Sequence, residues 1–309
     1  MKISRRDFLK TTALTSLYFA GFSAHSYANS GKKKNLVIIM LRGGMDGLCA
    51  IPVKGDKNFE KLRSKINLDR TLKLTSDFDL HPALKTFKSL WDQNLSAAVH
   101  ATNIPYTGRS HFDGQNLMES GGKIPYQEKT GWLGRGMKTA GLTGQGLALA
   151  LPMPLLIRGV PMNNNYFPVG RSLPYPATLE LIKQAYKEHD EKLLSDNLEI
   201  ILTRDFNNRS RDDAWILASS AGTELSKPDG PKVAVFEVDG FDTHAAQGAT
   251  DGAHADCLSD YDNIVRSLKS SMSEEAFNNT LVLTLTEFGR TIKQNSSNGT
   301  EHGYLSLIH

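Results

Sequence analysis

The chain is predicted to fold as a doubly wound α/β domain, a mostly parallel sheet with helices on both faces and a helical insertion. Three observations predict it. Four runs rich in aliphatic and β-branched residues recur: Asn35–Leu41 (NLVIIML), 95–101 (LSAAVHA), 232–238 (KVAVFEV) and Thr280–Thr286 (TLVLTLT). Each reads as a mostly continuous apolar run rather than a strictly alternating one, the pattern of strands buried on both faces of a parallel sheet. Helical periodicity fills the gaps between them, and strands alternating with helices define the α/β class.

The N-terminus comes first. Ser4-Arg5-Arg6-Asp7-Phe8-Leu9-Lys10 is a polar residue and an Arg pair followed by Phe, Leu and Lys. A weakly apolar stretch, 11–22, leads to Ser26-Tyr27-Ala28, a small-x-small cleavage site. That stretch is shorter than the ~20 apolar residues of a membrane span. Residues 1–28 are therefore expected to be a cleaved twin-arginine signal peptide. The mature chain is expected in the periplasm or beyond it, exported folded through the twin-arginine translocase, with no stable membrane span.

Residues 33–309 are expected to form one domain. Within it, 82–94 places Leu84, Phe87, Leu90 and Trp91 on one helical face, and 257–277 does the same with Leu258, Tyr261, Ile264, Val265 and Leu268. The segment 163–176, rich in Asn and Pro, reads as a loop. From 178 to 221 the pattern is charged and helical with no strand, a helical insertion or cap over the sheet.

Composition bounds the function. The net charge is +3 over 309 residues, and Lys2, Arg5, Arg6 and Lys10 against Asp7 account for it. The mature part is close to neutral, with no basic stripe carrying interleaved aromatics, so a nucleic-acid partner is not expected. Hydrophobic residues make up 39%, enough for one large core. Two cysteines, Cys49 and Cys257, are too few for a disulfide scaffold and are expected as buried thiols unless they pair. Asn208-Arg209-Ser210, Asn295-Ser296-Ser297 and Asn298-Gly299-Thr300 match the glycosylation pattern by chance in a bacterial export route.

In an open α/β sheet, function gathers at the carboxyl ends of the strands. The first run ends in Arg42-Gly43-Gly44-Met45-Asp46-Gly47, whose glycines allow a sharp turn. The second leads to Thr107-Gly108-Arg109-Ser110-His111-Phe112, with a helix starting near Asp113. A hydroxyl there is placed to carry negative charge or receive a phosphate or sulfate. The third ends in Asp239-Gly240-Phe241-Asp242-Thr243-His244. The fourth ends in Glu287-Phe288-Gly289-Arg290, followed by Gly299-Thr300-Glu301-His302-Gly303. Carboxylates and imidazoles are the ligand types of zinc, manganese and similar ions. Any one of these motifs alone is also an ordinary helix cap or turn; the coincidence at four strand ends is what points to a site.

With the twin-arginine start, the motifs Leu41 to Leu48, Arg109 to Asp113, Gly240 to His244 with Gln247, Thr286 to Arg290 and Gly299 to Gly303 resemble the exported family called domain of unknown function 1501 (DUF1501). That family looks like a branch of the alkaline phosphatase and sulfatase superfamily, and the resemblance covers nearly the whole mature chain. It implies hydrolysis of phosphate or sulfate esters at one or two divalent ions, with zinc, manganese or calcium as candidates. It further implies Asp46, Asp239 or Asp242, His244, Glu287 and His302 as metal ligands. Ser110 matches the hydroxyl nucleophile, with Thr107 as second choice, and Arg109 or Arg290 the fork on the ester oxygens. His111 is grouped with Ser110 and Arg109 as catalytic, and also stands where it could replace the ligand that Phe288 cannot supply. The family continues with further core strands after Gly303, so a missing C-terminal part is expected here. A metal-dependent ester hydrolase is thus the expected function, its substrate unspecified. The alternatives are a non-catalytic exported binding or assembly protein on the same fold, or an inactive truncated fragment.

Overall fold

In the computed structural model the described residues are 33–102, 104–149, 153–165, 176–189, 192–203, 214–303 and 306–308. The expected signal peptide, 1–28, and most of the loop 163–176 lie outside them. The chain divides into two compact units, Met1–Lys34 and Asn35–His309, and the second holds every described strand and helix.

Its strands are β1 (Asn35–Leu41), β2 (Leu72–Lys73), β3 (Asp79–Leu80), β4 (Val99–Thr102), β5 (Gly146–Leu149), β6 (Asn164–Asn165), β7 (Val233–Val238), β8 (Thr280–Thr286), β9 (Arg290–Gln294), β10 (Thr300–His302) and β11 (Ser306–Ile308). Its helices are α1 (Gly47–Ala50), α2 (Lys57–Leu62), α3 (Lys85–Asp92), α4 (His111–Ser120), α5 (Trp132–Thr139), α6 (Pro176–Glu188), α7 (Lys192–Thr203), α8 (Ala214–Ser226), α9 (Ala253–Ser271) and α10 (Glu274–Asn278).

β1 shows why the runs are uniformly apolar. Val37, Ile39 and Leu41 enter one core with Leu217 and Ala221 of α8 and Leu258 and Ile264 of α9. Ile38 and Met40 enter a second core with Met118 of α4 and Leu133 and Met137 of α5. Successive side chains point to opposite faces, and here both faces are covered by helices, so Val37 to Leu41 are all apolar. All five residues are fully buried, each contributing about 1.5–3 kcal/mol of transfer free energy. The main sheet runs β6-β5-β7-β1-β8 and is parallel throughout. This is the expected α/β class with a parallel sheet and helices on both faces.

Parallel pairing puts the carboxyl ends of β1, β7 and β8 on one rim. Leu41 stands beside Val238 on one side and Thr286 on the other. The motifs that extend from these strands must therefore meet.

The structure corrects several details. The 95–101 run does not join the parallel sheet: β4 begins at Val99 and pairs antiparallel with β11. Leu95 and Val99 are 54% and 55% exposed. Ser96, Ala97 and Ala98 offer too little apolar volume to hold a central strand. β5, only GLAL, lies inside the sheet instead, a strand too short to stand out in the sequence. The 257–277 helix is two: α9 ends at Ser271, and Ser273 caps α10 by accepting from the Ala276 amide. α8 packs tightly on α9, because a Cβ at Gly222 would stand 2.7 Å from the Leu268 carbonyl. Cys49 is buried and Cys257 half-buried, and both are free thiols. Among the described residues no helix is long and apolar enough to cross a membrane.

Candidate metal centre

Four side chains from three distant segments converge on the rim. His111 is the first residue of α4, whose N-cap is Ser110. Asp242 and His244 lie on the loop after β7. His302 ends β10, brought back over the rim by the β9–β10 hairpin, in which it pairs with Arg290. The β7 loop can lie against the β1 exit only because residue 43 is glycine. Its φ is +113°, and a Cβ there would stand 2.4 Å from the Asp242 amide nitrogen.

One ligand atom each from His111, Asp242, His244 and His302 lie within 4.8 Å of one another. The Nε2 atoms of His111 and His302 are 2.8 Å apart, as are those of His244 and His302. Asp242 Oδ1 lies 3.0 Å from His244 Nε2, 3.3 Å from His111 Nε2 and 3.4 Å from His302 Nε2.

Hydrogen bonding on the far side of each ring says which form the imidazoles take. His111 Nδ1 is 2.8 Å from Glu287 Oε1, and His302 Nδ1 is 2.7 Å from the Arg109 carbonyl. A carboxylate and a carbonyl only accept, so each Nδ1 carries a hydrogen, and in its neutral form each ring turns the Nε2 lone pair into the cluster. His244 Nδ1 faces Glu301 Oε2 at 3.3 Å. Lone pairs 2.8 Å apart repel unless a proton or a cation lies between them. Three imidazole nitrogens and a carboxylate oxygen, backed by acceptors, are a donor set that could hold a metal ion.

The surroundings bias the charge of each group differently. The Glu287 hydrogen bond raises the His111 pKa against burial, with the Glu287 and Asp242 charges adding to it. Burial lowers that of His302. Burial pushes the Asp242 carboxyl upward, but the Arg290 guanidinium and the imidazoles bring it below the usual range. Burial likewise opposes ionisation of Glu287, and hydrogen bonds from His111, Gln115 and the Gly43 amide outweigh it.

The remaining expected site residues stand elsewhere. Asp46 is outside the cluster: Arg63 takes both oxygens at 2.5 and 3.0 Å, Gln247 Nε2 donates at 2.7 Å, and the carboxylate caps α1. Asp239 is exposed and is not among the four clustered ligand groups. Glu287 sits behind His111 as its acceptor rather than among the four. Ser110 Oγ accepts from the Asp113 amide at 3.4 Å as a helix cap, and Thr107 is exposed. Arg109 contributes its carbonyl to His302. Arg290 clasps the rim, donating to the Gly43, Gly44, Phe241 and Thr300 carbonyls and to Asp242. Phe288 is a wall, its ring centroid 4.7 Å from that of His111 and 4.9 Å from that of His302.

Arg63, Gln115, Asn295 and Glu301 are missed by sequence reasoning as supporting residues. Their roles depend on neighbours far away in the chain. Of these, Glu301, adjacent to His302, lies inside a candidate site motif, and Asn295 only inside a chance glycosylation pattern.

The fold and rim define an α/β protein with a parallel sheet and a His–Asp cluster at its carboxyl edge. Residues 225–308 match the family model described as "Protein of unknown function (DUF1501)". The match takes in Asp242, His244 and His302, and it bears out the motif resemblance over that span. Among solved structures, the chain is similar to a 2-O GAG sulfatase, with TM-score 0.44, 11% identity, and coverage of 90% of this chain and 63% of that one. It is similar also to murine ectonucleotide pyrophosphatase/phosphodiesterase 5, inactive and in complex with AMP, with TM-score 0.33, 12% identity, and coverage of 84% and 58%. The chain thus spans about three fifths of the length of these structures. No curated protein matches.

Proposed function

We propose that the chain is an exported, metal-dependent hydrolase of phosphate or sulfate esters. The observation that carries this reading is the set of three imidazole Nε2 atoms facing Asp242 Oδ1, with an acceptor on the far side of each ring. His111, Asp242, His244 and His302 would hold one divalent ion. Three nitrogens and one oxygen suit zinc or manganese better than calcium, which prefers oxygen alone. Such an ion supplies Lewis-acid polarisation of an ester oxygen and lowers the pKa of a hydroxyl or water beside it.

The chain's own groups supply the rest. Glu287 fixes the His111 tautomer. Arg290 holds Asp242 in place, its donors spent on the rim carbonyls and that carboxylate. Arg109, exposed and adjacent to Ser110 in the chain, is the guanidinium proposed to meet the ester's non-bridging oxygens. Ser110, at the N-terminus of α4, is the proposed nucleophile, its oxyanion favoured by the helix dipole. Export through the twin-arginine translocase is supported by the Ser4 to Lys10 motif.

The test is elemental analysis of the purified protein alongside phosphatase, phosphodiesterase and sulfatase assays with zinc or manganese. About one ion per chain and turnover lost in Ser110→Ala are expected. Absence of both ion and turnover would sink the reading. A second reading, a non-catalytic metal-binding protein, is favoured by one observation: the Ser110 hydroxyl is engaged as a helix cap. It expects bound metal with no turnover.

A further inference from the structure

The three imidazoles do not have equal supports. His111 rests on a buried carboxylate and His302 on a backbone carbonyl, whereas Glu301, the acceptor facing His244, is a half-exposed side chain. A free glutamate in that position would sample many rotamers and hold an imidazole poorly. Glu301 is not free.

Asn295 Nδ2 donates to Glu301 Oε1 at 2.6 Å and, at 2.7 Å, to the main-chain carbonyl of His244 itself. Asn295 Oδ1 accepts from the amides of Ser297 and Gly299 at 3.0 and 2.9 Å. The amide is thus fixed at both ends, one in the hairpin turn and the other across Glu301 and His244. The turn itself is sewn to the His244 loop. Ala246 and Gln247 donate to the Ser297 and Asn298 carbonyls, and Thr300 donates to that of Thr243. A Cβ at Gly299 would stand 2.4 Å from the His244 carbonyl, so the approach is as close as a backbone allows.

We propose that Glu301, held by Asn295, is the positioning residue for His244: it keeps the hydrogen on Nδ1 and turns the Nε2 lone pair toward Asp242 and His302. The proposal rests on the metal-site reading and adds the residues that set one ligand of that site. The Asn295-Ser296-Ser297 triplet, which matches a glycosylation pattern by chance, thereby has a structural role of its own.

The experiment is titration of the metal-free full chain with Zn²⁺ alone by calorimetry against a competing chelator, for the wild type, Glu301→Ala, Glu301→Gln and Asn295→Ala. Supporting-shell losses weaken metal affinity about 10–100-fold. Glu301→Ala and Asn295→Ala are expected at the lower end of that range, because the pair is half-exposed. Glu301→Gln should recover most of the loss, since its amide oxygen can face Nδ1–H as the carboxylate oxygen does. A second measurement needs no metal: the His244 tautomer, read from two-bond ¹⁵N–¹H couplings in the metal-free protein. Nδ1–H is expected in the wild type and a mixture in Glu301→Ala. Zn²⁺ affinity in Glu301→Ala equal to that of the wild type would overturn the proposal. A wild type that binds no Zn²⁺ yet shows the Nδ1–H form would remove the metal reading and leave the positioning role standing. Thermal melts confirm that each variant is folded; Glu301 reaches solvent, so its truncation leaves the core intact.

Discussion

Arg63 closes on the Asp46 carboxylate as a fork, Nη1 2.5 Å from Oδ2 and Nη2 3.0 Å from Oδ1, with both side chains 1% exposed. The guanidinium also donates to the Thr291 and Ile292 carbonyls, tying α2 and the start of β9 to the β1 exit. Removing one partner leaves a buried charge alone. Arg63→Ala is therefore expected to destabilise the protein by about 3–5 kcal/mol, measured by urea unfolding at pH 7.

The same pair sets an acid limit. Burial works to raise the Asp46 pKa, and the Arg63 charge and hydrogen bonds prevail and hold it below the usual carboxylate value. A folded-state pKa below the unfolded one gives stability that is present above the unfolded value and lost as pH falls through the folded one. Stability should drop on acidification below about pH 4, and Asp46→Asn should show a shallower drop in melts across that range.

His254 adds a second window at milder pH. It is fully buried on α9, with neither ring nitrogen hydrogen-bonded and the Phe241 ring edge-on at 5.8 Å. Burial depresses its pKa to about 4. The folded value again lies below the unfolded one, so its contribution is complete above about pH 6.5 and is lost as pH falls toward 4, about 3 kcal/mol in all. His254→Leu should match or exceed wild-type stability at pH 7 and lose less on acidification from about pH 6.5 to about 4.5.

Metal should stabilise the fold in proportion to its binding. Adding Zn²⁺ to the metal-free wild type is expected to raise Tm, since a ligand that binds only the native state adds about 2.7 kcal/mol at a hundredfold excess over Kd. His302→Ala and His111→Ala should show no such rise in a calorimetric scan. His302 touches both other Nε2 atoms and should be the more damaging loss.

Ser110→Ala separates chemistry from architecture. Loss of the cap should cost about 1 kcal/mol, and Zn²⁺ affinity should stay at the wild-type value because Ser110 is not among the four ligands. Ester turnover should fall to background. Unchanged turnover would remove Ser110 as nucleophile.

The parts of this molecule that were legible in the sequence are those fixed by local pattern. β1, β7 and β8 stand out as runs dominated by aliphatic residues, the pattern of strands in a sheet covered by helices. Their parallel alignment places Asp242, His244 and Glu287 on one rim, and the β9–β10 hairpin returns His302 to it. Asp46 and Glu287 were identified as rim carboxylates, but their partners were not legible: Arg63 lies 17 positions beyond Asp46, and His111 lies 176 positions before Glu287. A carboxylate bound to a guanidinium and one available to a cation look the same in a sequence. Likewise His111 reads as catalytic beside Ser110 and as a ligand only in place of Phe288, because nothing local shows that α4 begins where its first side chain meets His302.

The rings of His111 and His302 touch across 191 positions of chain, and the helices and crossovers of the second core lie in that interval. A cation gripped by both would act as a fastener across most of the domain. Its ligand set would be complete only after α4, the β7 loop and the β9–β10 hairpin had met, so loading would mark the end of assembly.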